Sequence, residues 1–578
     1  MNTARSQGMV VAVAAALVLL PNLGGPPLWD DDEPRNAACS LAMHAGGDWI
    51  VPTFNGRLRV EKPALVNWLQ LAGFAIFGTN EWGARLPSAL LTVATCLLVW
   101  RIGSGLFGAA AGCWAGLIMG TCLWTGVAGR ACTPDAPLVF CATLALWLFV
   151  RGVPRRDGPV AISRGAAAAV GAACGLAVLA KGPVGLGLPL AAFLLFATWQ
   201  AAVDPGRTGP WVVRLFAALR AGWSGIRAGT ICGAAIAVAA PWYAAVTART
   251  DGEWLRGFLL VHNVGRFAAP MEGHSGSTIL YYPLILLVGL FPWSSAAALI
   301  GHHAIRTLRE DDGDRRAGTR LVVAWLVAWL VPFSLAATKL PGYIWPAYPA
   351  AALLGGGFIA AWISRPAAAI DAWMRVAWTC LAATGIAIGV ALPLVARRHA
   401  PGVEWLGCVG VVPVVGAMLA WRCHSLRSRI AASATFAATA CLTVGLIVSL
   451  APEALGRRGG PRQLLAATAA GRAAGPTTIG AYRTPPSIAF YGGRLAADGR
   501  VTELLTPADV ATFLTANPDA PLVVDARFEP QVAPLLPAGY RVLGATTALP
   551  ESRRLLLIGR TPRPPAAPIA ATAAPRLH

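Results

Sequence analysis

The chain has 578 residues, 56% of them hydrophobic and only 13% charged, with 22 tryptophans and a mean hydropathy of +0.58. Apolar runs of about twenty residues recur along it, which sets aside a soluble globular enzyme and points to a polytopic α-helical membrane protein. The formal charge of +20 does not call for nucleic acid, because the arginines sit mostly in short loops between apolar runs, as the positive-inside rule requires.

The first 25 residues carry Arg5 and then an apolar run from Met9 to Leu20. No clear small-x-small cleavage site precedes the acidic loop that follows, so the run reads as an uncleaved span with a cytoplasmic N-terminus. The next stretch, Asp30–Arg85, is the most polar between spans: WDDDEPR, then AGGDWIVPTFNGRLRVEKPALVNW, then NEWGARLPSAL. Within it, residues 33–45 and 63–77 have apolar side chains at mixed three-and-four spacing. They predict short amphipathic helices on the outer membrane surface, with Trp29, Trp49, Trp68 and Trp82 in the interfacial aromatic belt.

Further spans are predicted at roughly 86–106, 108–128, 134–150, 163–180, 183–201, 228–248, 279–300, 321–338, 342–362, 375–395, 402–421 and 430–450. With the first run that makes about thirteen, continuous rather than alternating and therefore helical. Alternate loops are arginine-rich, around Arg151–Arg156, Arg207–Arg227, Arg306–Arg320, Arg365–Arg375 and Arg422–Arg429, all on the side of the N-terminus. The other side receives the acidic loop, Asp135, Lys181, the 249–278 loop, Lys339 and everything after about residue 452.

Residues 1–451 thus read as the transmembrane domain and 452–476, with Gly459-Gly460-Pro461, as a linker. Residues 477–560 read as a small periplasmic α/β domain: TTIGAY, SIAFY, PLVVDAR and RRLLLIGR as strands, and Thr506–Asn517 as a helix opened by Pro507. The Pro- and Ala-rich 561–578 predicts a disordered tail.

Twelve cysteines are scattered through apolar segments without a CxxC pair and read as small buried or lipid-facing side chains. Of 47 basic residues only Lys62, Lys181 and Lys339 are lysine. A chain that uses arginine as its ordinary cation keeps lysine where a compact ammonium fits and a guanidinium fork does not.

Asp32, just past the first span, can act as a general base or bind a cationic group; capping the helix that starts at Glu33-Pro34 is the alternative. Asp135 in CTPDAPL has the same two readings at the mouth of a later span. Lys181 in AKGP and Lys62 in VEKPAL suit a phosphate, against snorkelling for the first and an ion pair with Glu61 for the second. His262, Arg266, Glu272 and His274 lie together in FLLVHNVGRFAAPMEGH, a weak metal signal by itself. Lys339 belongs to ATKLPGYIWPAYPA, where Lys-Leu-Pro-Gly-Tyr breaks a helix at a membrane face; such breaks line cavities. Carboxylates and cations gathered at one face suit a phosphate-bearing substrate reached from the lipid.

The ordered set WDDDEPR, GGDWIVPTFNGRLRVEKPALVNWL, FGTNEWGARLPSAL, TPDAPL, AKGP, HNVGRF and ATKLPGYIWPAYP resembles the bacterial glycosyltransferases related to protein O-mannosyltransferases. Within them it is most similar to the lipid A aminoarabinose transferase group, over roughly residues 25–360. The resemblance implies a GT-C fold, a polyprenyl-phosphate sugar donor and inversion at the anomeric carbon. By position it implies Asp32 and Glu33 as the key acidic pair and Asp135 as a second acid. It implies Lys62, Arg85 and Lys181 at the donor phosphate and Tyr343 by the donor cavity; Lys339 is also expected at the phosphate, and Arg35 and Arg266 at the acceptor or its loop. Glu61 and His262 match positions that can hold a divalent metal (Zn, Mg or Mn), although two ligands do not require one.

The expected enzyme is a monomeric inner-membrane glycosyltransferase working at the periplasmic side, with lipid A, another envelope glycan or a protein as acceptor. A protein O-mannosyltransferase-type enzyme and a ligase or flippase-like polymer handler are the alternatives among lipid-linked chemistries. A transporter is disfavoured, because no half-to-half repeat occurs and the charged residues gather at one face rather than in mid-span.

Overall fold

The computed structural model describes residues 2–560 except 30, 154–157, 204–209, 266–277, 311, 458, 471–477, 496–500 and 549–552. The tail 561–578, Arg266, Glu272 and His274 therefore lie outside the described residues.

The long apolar runs fold as α-helices, and the chain is a multi-pass membrane protein. Among the described residues ten helices are long and apolar enough to cross a bilayer, or eleven if Tyr281–Gly289 and Trp293–Thr307, bent by 115°, form one span. Two of the spans expected from sequence are shorter: the first helix, Asn2–Leu19, and Ala109–Thr121. The second ends because Cys122 is extended (φ −85°, ψ 149°) before Leu123–Ala128 resumes. The Leu123 N–H released by that break donates to Phe291 O at 2.9 Å.

Helix starts follow side-chain capping. Asn80 accepts from the Gly83 N–H at 3.0 Å to open Glu81–Phe107, and Ser163 accepts from the Ala166 N–H at 3.1 Å to open Arg164–Lys181. Spans then meet through small residues. A Cβ on Gly171 would stand 2.3 Å from Ile231 O, and one on Gly175 2.7 Å from Ala235 O, so Arg164–Lys181 touches the backbone of Ala228–Arg249. With no hydrophobic force between helices in lipid, this close approach is what holds them. The arginine-rich loop around 207–227 contains a helix the sequence reading did not foresee, Trp211–Gly225. It exposes Val212, Phe216, Leu219 and Trp223 along one stripe, as an interfacial helix does.

The chain divides into two compact units, residues 1–26, 48–52 and 58–455, and residues 27–47, 53–57 and 456–578. The first holds the apolar helices around a core of alanine and large aromatics, including Trp293, Trp325, Trp329, Trp345 and Trp378. Its loop segments are pinned by indoles: Trp68 donates to Trp49 O at 2.8 Å, Trp242 to Ile50 O at 3.1 Å and Trp254 to Arg59 O at 2.9 Å. Asp48 accepts from the Ile50 and Val51 N–H groups and from Arg249 at 3.0 Å. A two-residue Asn55-Gly56 turn, both residues at positive φ, joins β1 (Thr53–Phe54) to β2 (Arg57–Leu58).

The second unit contains the helix Asp32–Gly46 and a five-stranded sheet. The strands are β3 (Gly480–Tyr482), β4 (Thr502–Leu504), β5 (Leu522–Asp525), β6 (Tyr540–Ala548) and β7 (Arg553–Arg560), in the order β4-β3-β5-β7-β6. β3 runs parallel to β4 and β5, with Gly480 opposite Thr502 and Leu522; β7 is antiparallel to β5 and β6. SIAFY, expected as a strand, is the helix Pro486–Gly493, because Pro486 pre-sets φ at its first turn and a run this short carries no decisive period. Part of the stretch expected as linker, Pro461–Ala470, is helical. Pro507–Ala516 starts with a capping box in which Thr506 and Asp509 each accept the other's N–H.

Candidate functional site

In the first unit three of the sequence candidates come together. Asp135 begins the helix Asp135–Gly152 after the Thr133-Pro134 turn, with Thr133 Oγ1 at 3.5 Å from its Oδ2. Lys181 ends Arg164–Lys181, where Gly182 at φ 83° turns the chain as few other residues could. These two helix ends set the Lys181 ammonium in a direct ion pair with Asp135 Oδ1. Lys181 Nζ also lies 5.2 Å from the centroid of the Tyr343 ring. Tyr343 stands on the 3-10 turn Pro341–Ala347, packed against Phe333 at 5.2 Å. Their side chains are 16% (Lys181) and 22% (Asp135) exposed, so the pair is partly shielded yet reachable.

Gly342 borders the pair: a Cβ there would lie 3.5 Å from Asp135 Oδ2 and 3.9 Å from Trp124 Cζ2, in ordinary contact. Trp124 is a residue that sequence reasoning missed. Its indole nitrogen is buried without a hydrogen-bond partner among the described residues, and Cζ2 lies on the same edge of the ring system as that N–H. No sequence signal marked it, because the break at Cys122 lies inside a continuous apolar run.

The remaining cations are placed differently. Arg85 is buried, and its Nη1 donates to Leu23 O at 3.0 Å and Pro26 O at 2.8 Å. Lys339 is buried too, with Nζ donating to Ser334 O at 2.8 Å and Ala336 O at 2.9 Å and lying 5.9 Å from the Tyr282 ring. Both were expected at the phosphate; in the structure these donors meet main-chain carbonyls and brace turns of the chain. Lys62 is half-buried just ahead of the helix Leu65–Phe77.

In the second unit Asp32 is exposed at the first position of Asp32–Gly46, and Glu33 is buried with Oε2 accepting the Trp29 N–H at 2.8 Å. Asp31 occupies the cap position but makes no side-chain cap hydrogen bond. Arg35 lies over the Phe54 ring at 5.9 Å.

The two positions that can hold a metal are Glu61 and His262, and Glu61 Oε2 is buried. Arg59 Nε stands 3.3 Å from Glu61 Oε2. His262 lies on the π-helical turn Gly257–Gly265. Among the described residues no three His, Cys, Asp or Glu side chains gather as ligands.

Residues 61–219 match the family profile of the dolichyl-phosphate-mannose-protein mannosyltransferases. An undecaprenyl phosphate-α-4-amino-4-deoxy-L-arabinose arabinosyl transferase of Pseudomonas fluorescens is 31% identical over 355 residues, 61% of this chain and 56% of that relative. The chain thus spans little more than half of that protein's length. The enzyme of the same name from Pectobacterium carotovorum is 30% identical over 424 residues, 70% of this chain and 69% of the relative. The crystal structure of ArnT from Cupriavidus metallidurans bound to undecaprenyl phosphate superposes with a TM-score of 0.74 at 24% identity, covering 98% of this chain and 99% of that one. That likeness extends the GT-C fold over both the helical membrane unit and the sheet domain. With a relative matched over more than two thirds of its length, the chain belongs to the family of the undecaprenyl phosphate-α-4-amino-4-deoxy-L-arabinose arabinosyl transferases.

Proposed function

We propose that the chain is an inner-membrane glycosyltransferase that moves a 4-amino-4-deoxyarabinose-type sugar from undecaprenyl phosphate to lipid A on the periplasmic side. Family membership supplies the donor class. The observation that carries the reading to residues is the Asp135–Lys181 ion pair beside Tyr343, a fixed cation in a partly shielded pocket. In the reaction an acceptor oxygen attacks the anomeric carbon, that carbon's bond to the phosphate oxygen breaks, and its electron pair leaves on the phosphate. The products are the glycosylated acceptor, with inverted configuration, and undecaprenyl phosphate.

Negative charge grows on the leaving phosphate, and Lys181, held by Asp135, offsets it where water is scarce. Lys62 serves the same phosphate, and Arg85 keeps the chain entering the polar loop in place through Leu23 O and Pro26 O. Asp32 orients the acceptor, or takes its proton when the acceptor is a hydroxyl; an acceptor phosphate oxygen has no proton to give up.

The test is transfer by the purified chain from undecaprenyl-phosphate aminoarabinose to lipid A, read by mass spectrometry as the gain of one aminopentose. An unmodified acceptor, with the donor intact, would overturn the reading. The match of residues 61–219 to the protein mannosyltransferases supports a second one, in which the donor is polyprenyl-phosphate mannose and the acceptor a protein hydroxyl. Running that donor with a Ser/Thr peptide in parallel separates the two.

A further inference from the structure

The sheet of the second unit has a feature that sugar transfer does not use. From β3 the chain passes to β4 on one side and then to β5 on the other, so the strand order reverses between β3 and β5. In open α/β sheets the crevice outside the carboxyl ends of strands at such a reversal is where ligands bind. Here that crevice is lined by cations on an aromatic. Arg483 follows β3 directly; its guanidinium lies 4.9 Å from the Phe528 ring and its Nε donates to Leu505 O at 3.3 Å, just past the end of β4. Arg527 follows β5, 5.7 Å from the same ring. Arg553 opens β7 at this end, since Asp525 pairs with Leu555 in the ladder.

Arg483 also holds a φ of +51°, unfavourable for a residue with a side chain and found where surrounding structure imposes it. Three carboxylates nearby are committed. Asp525 is buried in a two-pronged pair with Arg527, Asp509 accepts the Leu505 and Thr506 N–H groups, and Glu503 faces Arg57 at 3.8 Å. That leaves the exposed Arg483 guanidinium fork over the Phe528 ring, 4.9 Å from its centroid. Such a fork matches the oxygens of a phosphate.

We propose that the crevice between the carboxyl ends of β3 and β5 is a binding site for a phosphate monoester, with Arg483 as its principal ligand and Phe528 as the platform that orients it. This goes beyond the transferase reading, because binding is measured without turnover and either can fail alone.

The test uses the full-length protein in detergent, with inorganic phosphate followed by calorimetry and phosphatidic acid followed by native mass spectrometry. Wild type should bind, Arg483→Ala and Phe528→Leu should weaken binding about tenfold, and Arg483→Lys, which keeps the charge and folds more safely, should weaken it as well. Arg541→Ala, at the opposite end of the sheet, should bind as wild type. Loss of both probes in the variants assigns the site to a lipid headgroup; loss of inorganic phosphate alone assigns it to a soluble phosphate. No phosphate binding by wild type, or full binding by Arg483→Ala, would overturn the proposal, as would an equal loss in Arg541→Ala.

Discussion

At the scale of residues, the proposed site rests on one ion pair, and that makes its energetics testable. Asp135 and Lys181 touch each other, so their substitutions should not add. Asp135→Asn and Lys181→Gln are each expected to lower kcat/KM about tenfold or more, roughly 1.4 kcal/mol of transition-state stabilisation, with the double variant little worse than either single one. Strictly additive losses would show that the two act separately. The acidic run makes a second prediction. Asp32→Asn should abolish transfer while leaving thermal stability intact, since Asp32 is exposed and its neighbour Glu33 holds the Trp29 N–H. Near-wild-type turnover in Asp32→Asn, with Asp31→Asn inactive, would move the role by one residue. Sequence made Asp135, Lys181 and Tyr343 legible because each sits beside a Pro or Gly that breaks a helix. It did not reveal that Arg85 and Lys339 donate to main-chain carbonyls, because a cation's partner across the fold leaves no mark on its own neighbours.

Elements carry their own predictions. The contact of Arg164–Lys181 with Ala228–Arg249 depends on Gly171 and Gly175, whose spacing is visible in the sequence but acquires meaning only from the facing carbonyls. Gly171→Leu should destabilise the purified protein by about 1–3 kcal/mol, read as a lower Tm. Gly165→Leu on the same helix, with open space around its Cβ, should be neutral. Equal melting of the two variants would dissolve the packing argument. In the sheet, burial pushes the Asp525 carboxyl up, but the hydrogen bonds and charge of Arg527, helped by Arg553, outweigh it and hold the group below the usual carboxylate range. A depressed native value stabilises the fold above the unfolded pKa of about 3.9 and loses that stabilisation as pH falls through the native value. The acid limb of a thermal-shift profile should therefore flatten in Asp525→Asn; an unchanged limb would assign acid lability elsewhere. The long helices were legible from run length. The helix Pro486–Gly493, the broken span at Cys122 and the surface helix Trp211–Gly225 were not, because short or interrupted runs carry too few turns to fix a period.

For the whole molecule, the arginine asymmetry of the loops sets the orientation. Reporter fusions after Arg156, Arg316 and Arg427 should report cytoplasm, and fusions after Arg57 and Pro461 the periplasm. A cytoplasmic signal at Pro461 would put the sheet domain on the wrong side for the proposed acceptor. The indoles that pin the polar loop have one more consequence. Trp242 meets Trp68 at 6.4 Å and 89°, and Trp254 at 4.8 Å and 82°. Among 22 tryptophans no single emission band can be assigned to a place, but chromophores this close couple their transitions, and the coupling depends on their mutual angle. The segment therefore carries a chiroptical label of its own, a circular-dichroism couplet that Trp242→Phe would erase, reporting during substrate addition whether the loop stays docked without any dye attached.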